Sequence, residues 1–170
     1  MITIDDRITV EKLRGRLEAP RRPLPRSRMA PALAYGRHRG PYHSDSRHAA
    51  VLLAIYRDQQ GHWRLPLTRR PDSLQHHGGQ ICLPGGRLEP GEGTADAALR
   101  EFQEELGVEP HNCRLCGELD TQYVYLSDNR VHPVVAILEP PRLPWQPDPA
   151  EVAEVIELPV SDLLDRGSRS

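Results

Sequence analysis

Apolar positions change their period several times along the chain. One weak helical pattern lies around Val10 to Leu17, and it is followed by APRRPLPRSRMAPALAYGRHRGPY, crowded with Pro and Arg and without an apolar period. Residues 1–47 therefore read as a largely irregular N-terminal extension or wrap, and residues 48–170 as the folded domain. From Ala49 the texture changes. AAVLLAIYR is a continuous apolar run suited to a strand buried on both faces, and HWRLPLT alternates Trp63, Leu65 and Leu67, with Asp58 to Gly61 as the turn between them. PDSLQHHGGQ reads as a loop, ICL as a short strand, and Pro84-Gly85-Gly86 as tight turns. DTQYVYL, VHPVVAIL and EVAEVIEL read as further strands and PVSDLLDR as a short helix.

The strongest helical signal is TADAALREFQEELG. Thr94 is suited to N-cap the helix, Asp96 falls in the first turn where the dipole favours an anion, and Gly107 can take the left-handed C′ conformation, giving a helix over about 95–106. Ala95, Ala98, Leu99, Phe102 and Leu106 form one apolar stripe, with Glu101, Glu104 and Glu105 in an acidic stripe at its border. Strands on either side of one strong helix, without strict alternation, predict an α/β fold with a mixed sheet.

A chain of 170 residues is the size of one domain, and its formal net charge of −2 gives no ground for a nucleic-acid or membrane partner. No apolar run approaches the roughly 20 residues of a membrane span, and MITIDDRITVEKLRGRL lacks the order of a signal peptide, so the expected location is cytoplasmic. Cys113 and Cys116 have no second CxxC or His pair to complete a zinc site and read as reduced thiols. The final Ser168-Arg169-Ser170 resembles a peroxisomal address only loosely.

Like charges three and four residues apart cost a helix about 0.2–0.5 kcal/mol per pair, so the glutamates ask for a return. A solvated face is the bland answer. A carboxylate cluster next to the Gly85-Gly86 loop, where backbone can approach a ligand closely, is instead a place for Mg²⁺ (or Mn²⁺) shared with substrate phosphates.

These residues match a known pattern. Gly86, five residues, Glu92, seven residues, then Arg100 through Val108 resembles the Nudix box, with every fixed position filled and Phe102 and Val108 at its bulky apolar positions. The resemblance implies a Nudix-type α/β/α sandwich with a mixed central sheet and a catalytic loop–helix–loop, and hydrolysis of a nucleoside diphosphate linked to another moiety. It implies Glu101, Glu104 and Glu105 as metal ligands, joined by the Gly86 carbonyl, and Glu92 with Arg100 as a brace between loop and helix. Glu105 is the first candidate for the base, with Glu139, Glu151 and Glu154 as alternatives.

Upstream, LTRRPDSLQHHGGQICLPGGR resembles the signature of the coenzyme A pyrophosphatase branch. Leu67, Thr68, Arg70, Gly79, Pro84, Gly85 and Gly86 match in register, and Pro66, Pro71, Gln75 and Leu83 depart from it. Gln75 replaces a cation. The resemblance extends over roughly residues 48–165; that branch continues with a further segment, so the chain reads as a short or truncated variant. Its expected substrate is coenzyme A or an acyl derivative. ADP-ribose, a dinucleoside polyphosphate, or binding of a nucleotide without turnover are the alternatives. Arg70, Gly85, Gly86 and His77 are the candidate substrate contacts, His76 and His77 otherwise reading as a solvated loop pair. The expected partner is this small nucleotide; the oligomeric state stays open, with a homodimer as one option.

Overall fold

The computed structural model describes residues 9–19, 44–74, 78–124 and 127–164. The readings of Gln75, His76, His77, most of the Pro/Arg-rich stretch and the final tripeptide lie outside them. In chain order the elements are α1 (Val10–Glu18), β1 (Arg47–Arg57), β2 (Trp63–Arg69), β3 (Ile81–Cys82), β4 (Gly85–Arg87), α2 (Thr94–Leu106), β5 (Arg114–Glu118), β6 (Gln122–Val124), β7 (Asn129–Ile137), β8 (Glu154–Pro159) and α3 (Val160–Leu164).

The sheet is mixed. β1 and β7 run parallel from Arg47↔Asn129 to Ile55↔Ile137, whereas β2, β4, β5, β6 and β8 join by antiparallel pairing. Two strands share one partner: β4 pairs with β1 at Ala49–Val51, and β2 takes over at Tyr56–Arg57. β4 thus lies beside β1 where β2 is not paired with it, and α2 packs against both β1 and β4.

Side chains alternate across the sheet as the period-2 rule requires. Ala50, Leu52, Ala54 and Tyr56 of β1, with Val134 and Ala136 of β7, pack on Ala97, Ala98, Phe102 and Leu106 of α2. Leu53, Ile55, Val135 and Ile137 face the other way, onto Val10, Leu13 and Leu17 of α1 and Val160 of α3. The result is a helix–sheet–helix sandwich. The weak helical pattern around Val10 to Leu17 is thus a helix seated on the core, held also by two hydrogen bonds from the Arg14 guanidinium to the Leu115 carbonyl, at 3.0 and 2.8 Å. Cys113 joins the α2-side core and Cys116 the α1-side core, so the two thiols do not converge on one ion. Burial pushes both thiols up, Cys113 to about 11.

Three expectations need correction. The residue capping α2 is Gly93, not Thr94; Thr94 begins the helix, and its hydroxyl donates to Glu118 on β5 instead of to its own helix. Gly85-Gly86 is a strand, β4, rather than a turn, because both residues pair with β1. Glu105 does not sit at the border of the helix contact but is buried with Ala97, Ala98, Phe102 and Leu106. At the other end Gly107 has the expected left-handed conformation, φ 65°, and a β-carbon there would come within 1.9 Å of the Gln146 carbonyl oxygen. That close approach seats the 139–153 strap on the end of α2, where Trp145 meets Phe102 and Tyr56 edge-on and donates to Glu157 at 3.0 Å.

Candidate active site

α2 presents its three glutamates to three environments. Glu104 is mostly exposed, Glu101 largely covered, and Glu105 only 4% exposed. Helix packing decides this: burying Phe102 and Leu106 rotates the next position along the same stripe, Glu105, toward β2 and β4.

Glu105 meets two donors, the Gly85 N–H and, at 3.5 Å, the Thr68 hydroxyl. These do not offset the loss of water. Burial first, and then the nearby Glu101 charge, push its carboxyl up to about 7, while Arg70 and the Gly85 N–H act in the opposite direction. Glu101 is raised for the same leading reason. Its carboxylate lies against Gly86, where an added β-carbon would be only 2.3 Å from Cδ. At Gly85 the obstacle is backbone, since a β-carbon would come within 2.3 Å of the Ala50 carbonyl oxygen.

Arg100 ties loop to helix as the resemblance implies. It grips Glu92 bidentately along one edge of its guanidinium, Nε to Oε1 at 2.9 Å and Nη2 to Oε2 at 3.1 Å, and Nη2 also reaches the Arg87 carbonyl at 3.0 Å. Nη1 extends the network to Glu101 at 3.0 Å and Glu104 at 3.1 Å. The bond to Arg100 holds Glu92 below the usual carboxylate range, and Glu92 in turn raises the guanidinium.

Two side chains complete the site. Arg70 follows β2 at the mouth of the loop closed by Arg70 N–H to the Gln80 carbonyl (3.0 Å) and Gly79 N–H to the Arg70 carbonyl (3.1 Å). Its Nε is buried and has no hydrogen-bond partner among the described residues, while its charge acts on Glu105. Glu151 is the alternative base that the structure brings toward the cluster, its charge acting on both Glu101 and Glu105. It is delivered by a turn in which the Asp148 carbonyl accepts from Glu151 and Val152 N–H, at 3.0 and 2.8 Å, next to the buried Val152. Glu154 is instead paired with Arg69 at 3.2 Å, and Glu139 lies beside Phe102 and Trp145.

The donor set suits a hard divalent cation: two under-compensated carboxylates, Glu101 and Glu105, against a glycine backbone with no room for a side chain. In this conformation Glu101 and Glu104 are turned to Arg100, and among the described residues no three His, Cys, Asp or Glu side chains are arranged to hold one ion between them. The Arg100–Glu104 ion pair is exposed and therefore cheap to exchange.

Among the described residues no helix is long and apolar enough to cross a membrane. The NUDIX domain model matches residues 46–169. The proteins described as uncharacterized Nudix hydrolase NudL from Salmonella paratyphi B and Salmonella newport are 37% identical over 124 residues, which is 72% of this chain and 62% of theirs. The chain thus spans less than two thirds of the length of the curated relatives it matches. A Nudix hydrolase of M. smegmatis, RenU, superposes with a TM-score of 0.57 at 23% identity, covering 71% of this chain and 74% of its own. A C. elegans Ap4A hydrolase gives 0.57 at 20% identity, covering 69% and 83%. Both share the fold.

Proposed function

Because the chain belongs to the Nudix family, we propose that it is a metal-dependent pyrophosphohydrolase that cleaves coenzyme A or an acyl derivative into 3′,5′-ADP and 4′-phosphopantetheine or its acyl form. The observation that carries the substrate reading is spatial. Thr68 and Arg70, both from the segment that resembles the coenzyme A branch, stand against Glu105, and Gly79 closes the loop that holds Arg70 there.

Glu101, Glu104 and Glu105, with the Gly86 carbonyl, would hold Mg²⁺ or Mn²⁺, which when bound supplies positive charge to the attacking and leaving oxygens and lowers the pKa of water. Arg70 has an unused, desolvated N–H for a phosphate oxygen, and a guanidinium suits that geometry. Gly85 and Gly86 let backbone approach the bridge, and Arg100 with Glu92 keeps that backbone in place for in-line attack. Glu105, buried against the Thr68 hydroxyl and the Gly85 N–H, is the first candidate to accept a proton from the attacking water, and Glu151 stands second in line. His77 is a proposed phosphate contact from its place in the sequence, two residues before Gly79.

The test is a panel of coenzyme A, acyl derivatives, dephospho-coenzyme A, ADP-ribose and dinucleoside polyphosphates with Mg²⁺ or Mn²⁺, products being identified by mass. The expected result is cleavage of a coenzyme A species at the pyrophosphate. Cutting ADP-ribose or a dinucleoside polyphosphate at least about tenfold better, a difference of about 1.4 kcal/mol in barrier, would overturn the substrate assignment and leave the hydrolase reading. Binding of a nucleotide with no turnover of any substrate would overturn the hydrolase reading itself.

A further inference from the structure

Outside the carboxylate site, two histidines on neighbouring parallel strands point at each other. Nδ1 of His48, on β1, lies 2.9 Å from Nε2 of His132, on β7, and the two ring planes are within 10°. The centroids are 5.2 Å apart. An imidazole nitrogen sits about 1.2 Å from the centre of its ring, so the nitrogen contact plus one such radius on each side accounts for the whole separation. The rings therefore lie edge to edge in nearly one plane, joined by an in-line N–H···N bond, and are not stacked face to face. The other nitrogen of His132, Nδ1, meets the Thr121 hydroxyl at 3.3 Å.

This arrangement has room for one added proton, whichever tautomer it starts from. If His48 donates, the first added proton goes to the outer nitrogen of His48 and the shared bond becomes charge-assisted. If His132 donates, the first goes to Nδ1 of His132 with the same effect. In either case the second proton must land on the accepting nitrogen in the line between the rings, where it meets the N–H already there. We propose that His48 and His132 form a one-proton clasp between β1 and β7: the pair takes up a single proton as a shared N–H···N bond, and a second proton opens it.

The surroundings favour the closed form. Burial and the charges of His48 and Arg130 lower His132, and only Glu118 on β5 opposes them. Glu118 is itself engaged by the Thr94 hydroxyl. The clasp also has a structural reach. His132 pairs with Ala50, and Ala50 pairs on its other edge with Gly86, so the row that the clasp secures carries the glycine of the carboxylate site.

Histidine ring titration of the full chain by NMR between pH 8 and 4.5 tests the proposal. His48→Asn and His132→Gln each keep an amide near the bonded position, identify the two rings and remove one titrating partner. In the wild type both rings should report two steps at least about one pH unit apart, the lower one below the ordinary histidine value near 6.5. In each variant the surviving ring should titrate in a single step, and the stability of the wild type relative to each variant should fall between pH 7 and 5. Two wild-type rings that titrate independently, within about half a pH unit of 6.5, overturn the clasp even where neither variant folds.

Discussion

The carboxylate of Glu101 occupies the place where Gly86 would carry a side chain, its Cδ 2.3 Å from that missing β-carbon. The obstacle is the end of a flexible side chain, so it can give way without unfolding anything. Gly86→Ala should therefore fold with a thermal midpoint within about 3 °C of the wild type, yet lose roughly a hundredfold or more in kcat as Glu101 is driven from the loop. Gly85→Ala should behave differently, because there the obstacles are the Ala50 carbonyl oxygen and the Val51 Cα. It should lower the thermal midpoint along with activity. Thermal unfolding of both variants beside their turnover separates the two outcomes.

Glu105 sets a pH dependence whose sign follows from its raised pKa, about 7 in the fold against an ordinary 4.5. Between these values the folded chain binds the proton more tightly than the unfolded chain does. The contribution is favourable below pH 4.5 and is lost as pH rises through 7. With metal chelated, Glu105→Gln should thus be more stable than the wild type at pH 8, by up to about 3 kcal/mol, and no more stable at pH 4.5. The same variant should lose a hundredfold or more in kcat, about 3 kcal/mol of barrier. Denaturant unfolding at the two pH values in a chelator measures the first effect. Equal stability at both would show that Glu105 is not held in a costly ionised state.

Much of this was legible in the sequence where a residue's neighbours are its own element. The β1 run, the alternation of β2 and the apolar stripe of α2 each follow from a local period, and Gly107 ends the helix by its own conformational freedom. What escaped depends on partners distant along the chain. Thr94 has the chemistry of a cap, but Glu118, 24 residues away, takes its hydroxyl. Gly85-Gly86 has no strand propensity and becomes one only because β1 lies open beside it. RLCGE, which forms β5, shows no alternation and carries a register shift between Leu115 and Gly117. At the site, spacing grouped the three glutamates, whereas their separation into buried, covered and exposed depends on how α2 is rotated against the sheet. Among Glu139, Glu151 and Glu154, sequence had no means of telling that Glu151 is the one whose charge reaches Glu101 and Glu105, brought there by the Asp148 turn.

Arg100 holds Glu92, Glu101, Glu104 and the Arg87 carbonyl through one planar fork. Arg100→Ala should release the loop from the helix and lower the thermal midpoint and kcat together. Arg100→Lys keeps the charge but cannot make the bidentate grip, so it should recover little of either. Differential scanning calorimetry paired with steady-state kinetics checks this. Activity lost with thermal stability and metal affinity both unchanged would show that Arg100 acts on the substrate instead of on the loop.

Arg70 offers the sharpest division between charge and geometry, because its buried Nε has no hydrogen-bond partner among the described residues while its charge lowers the pKa of Glu105. Nε has no hydrogen bond to lose, so Arg70→Ala should change the thermal midpoint by little. Its KM for the pyrophosphate substrate should rise about tenfold or more, as expected for loss of a charge-assisted contact worth about 1.5–3 kcal/mol. With metal chelated, the fall of stability with rising pH should also extend to higher pH, since Glu105 loses a neighbouring cation that favours its ionised form. Arg70→Lys should keep that fall near its wild-type pH while KM still rises, because an ammonium keeps the charge and loses the fork. If Arg70→Ala leaves both KM and the pH profile of the wild type, Arg70 faces neither the phosphate nor Glu105, and the contact proposed for it is wrong.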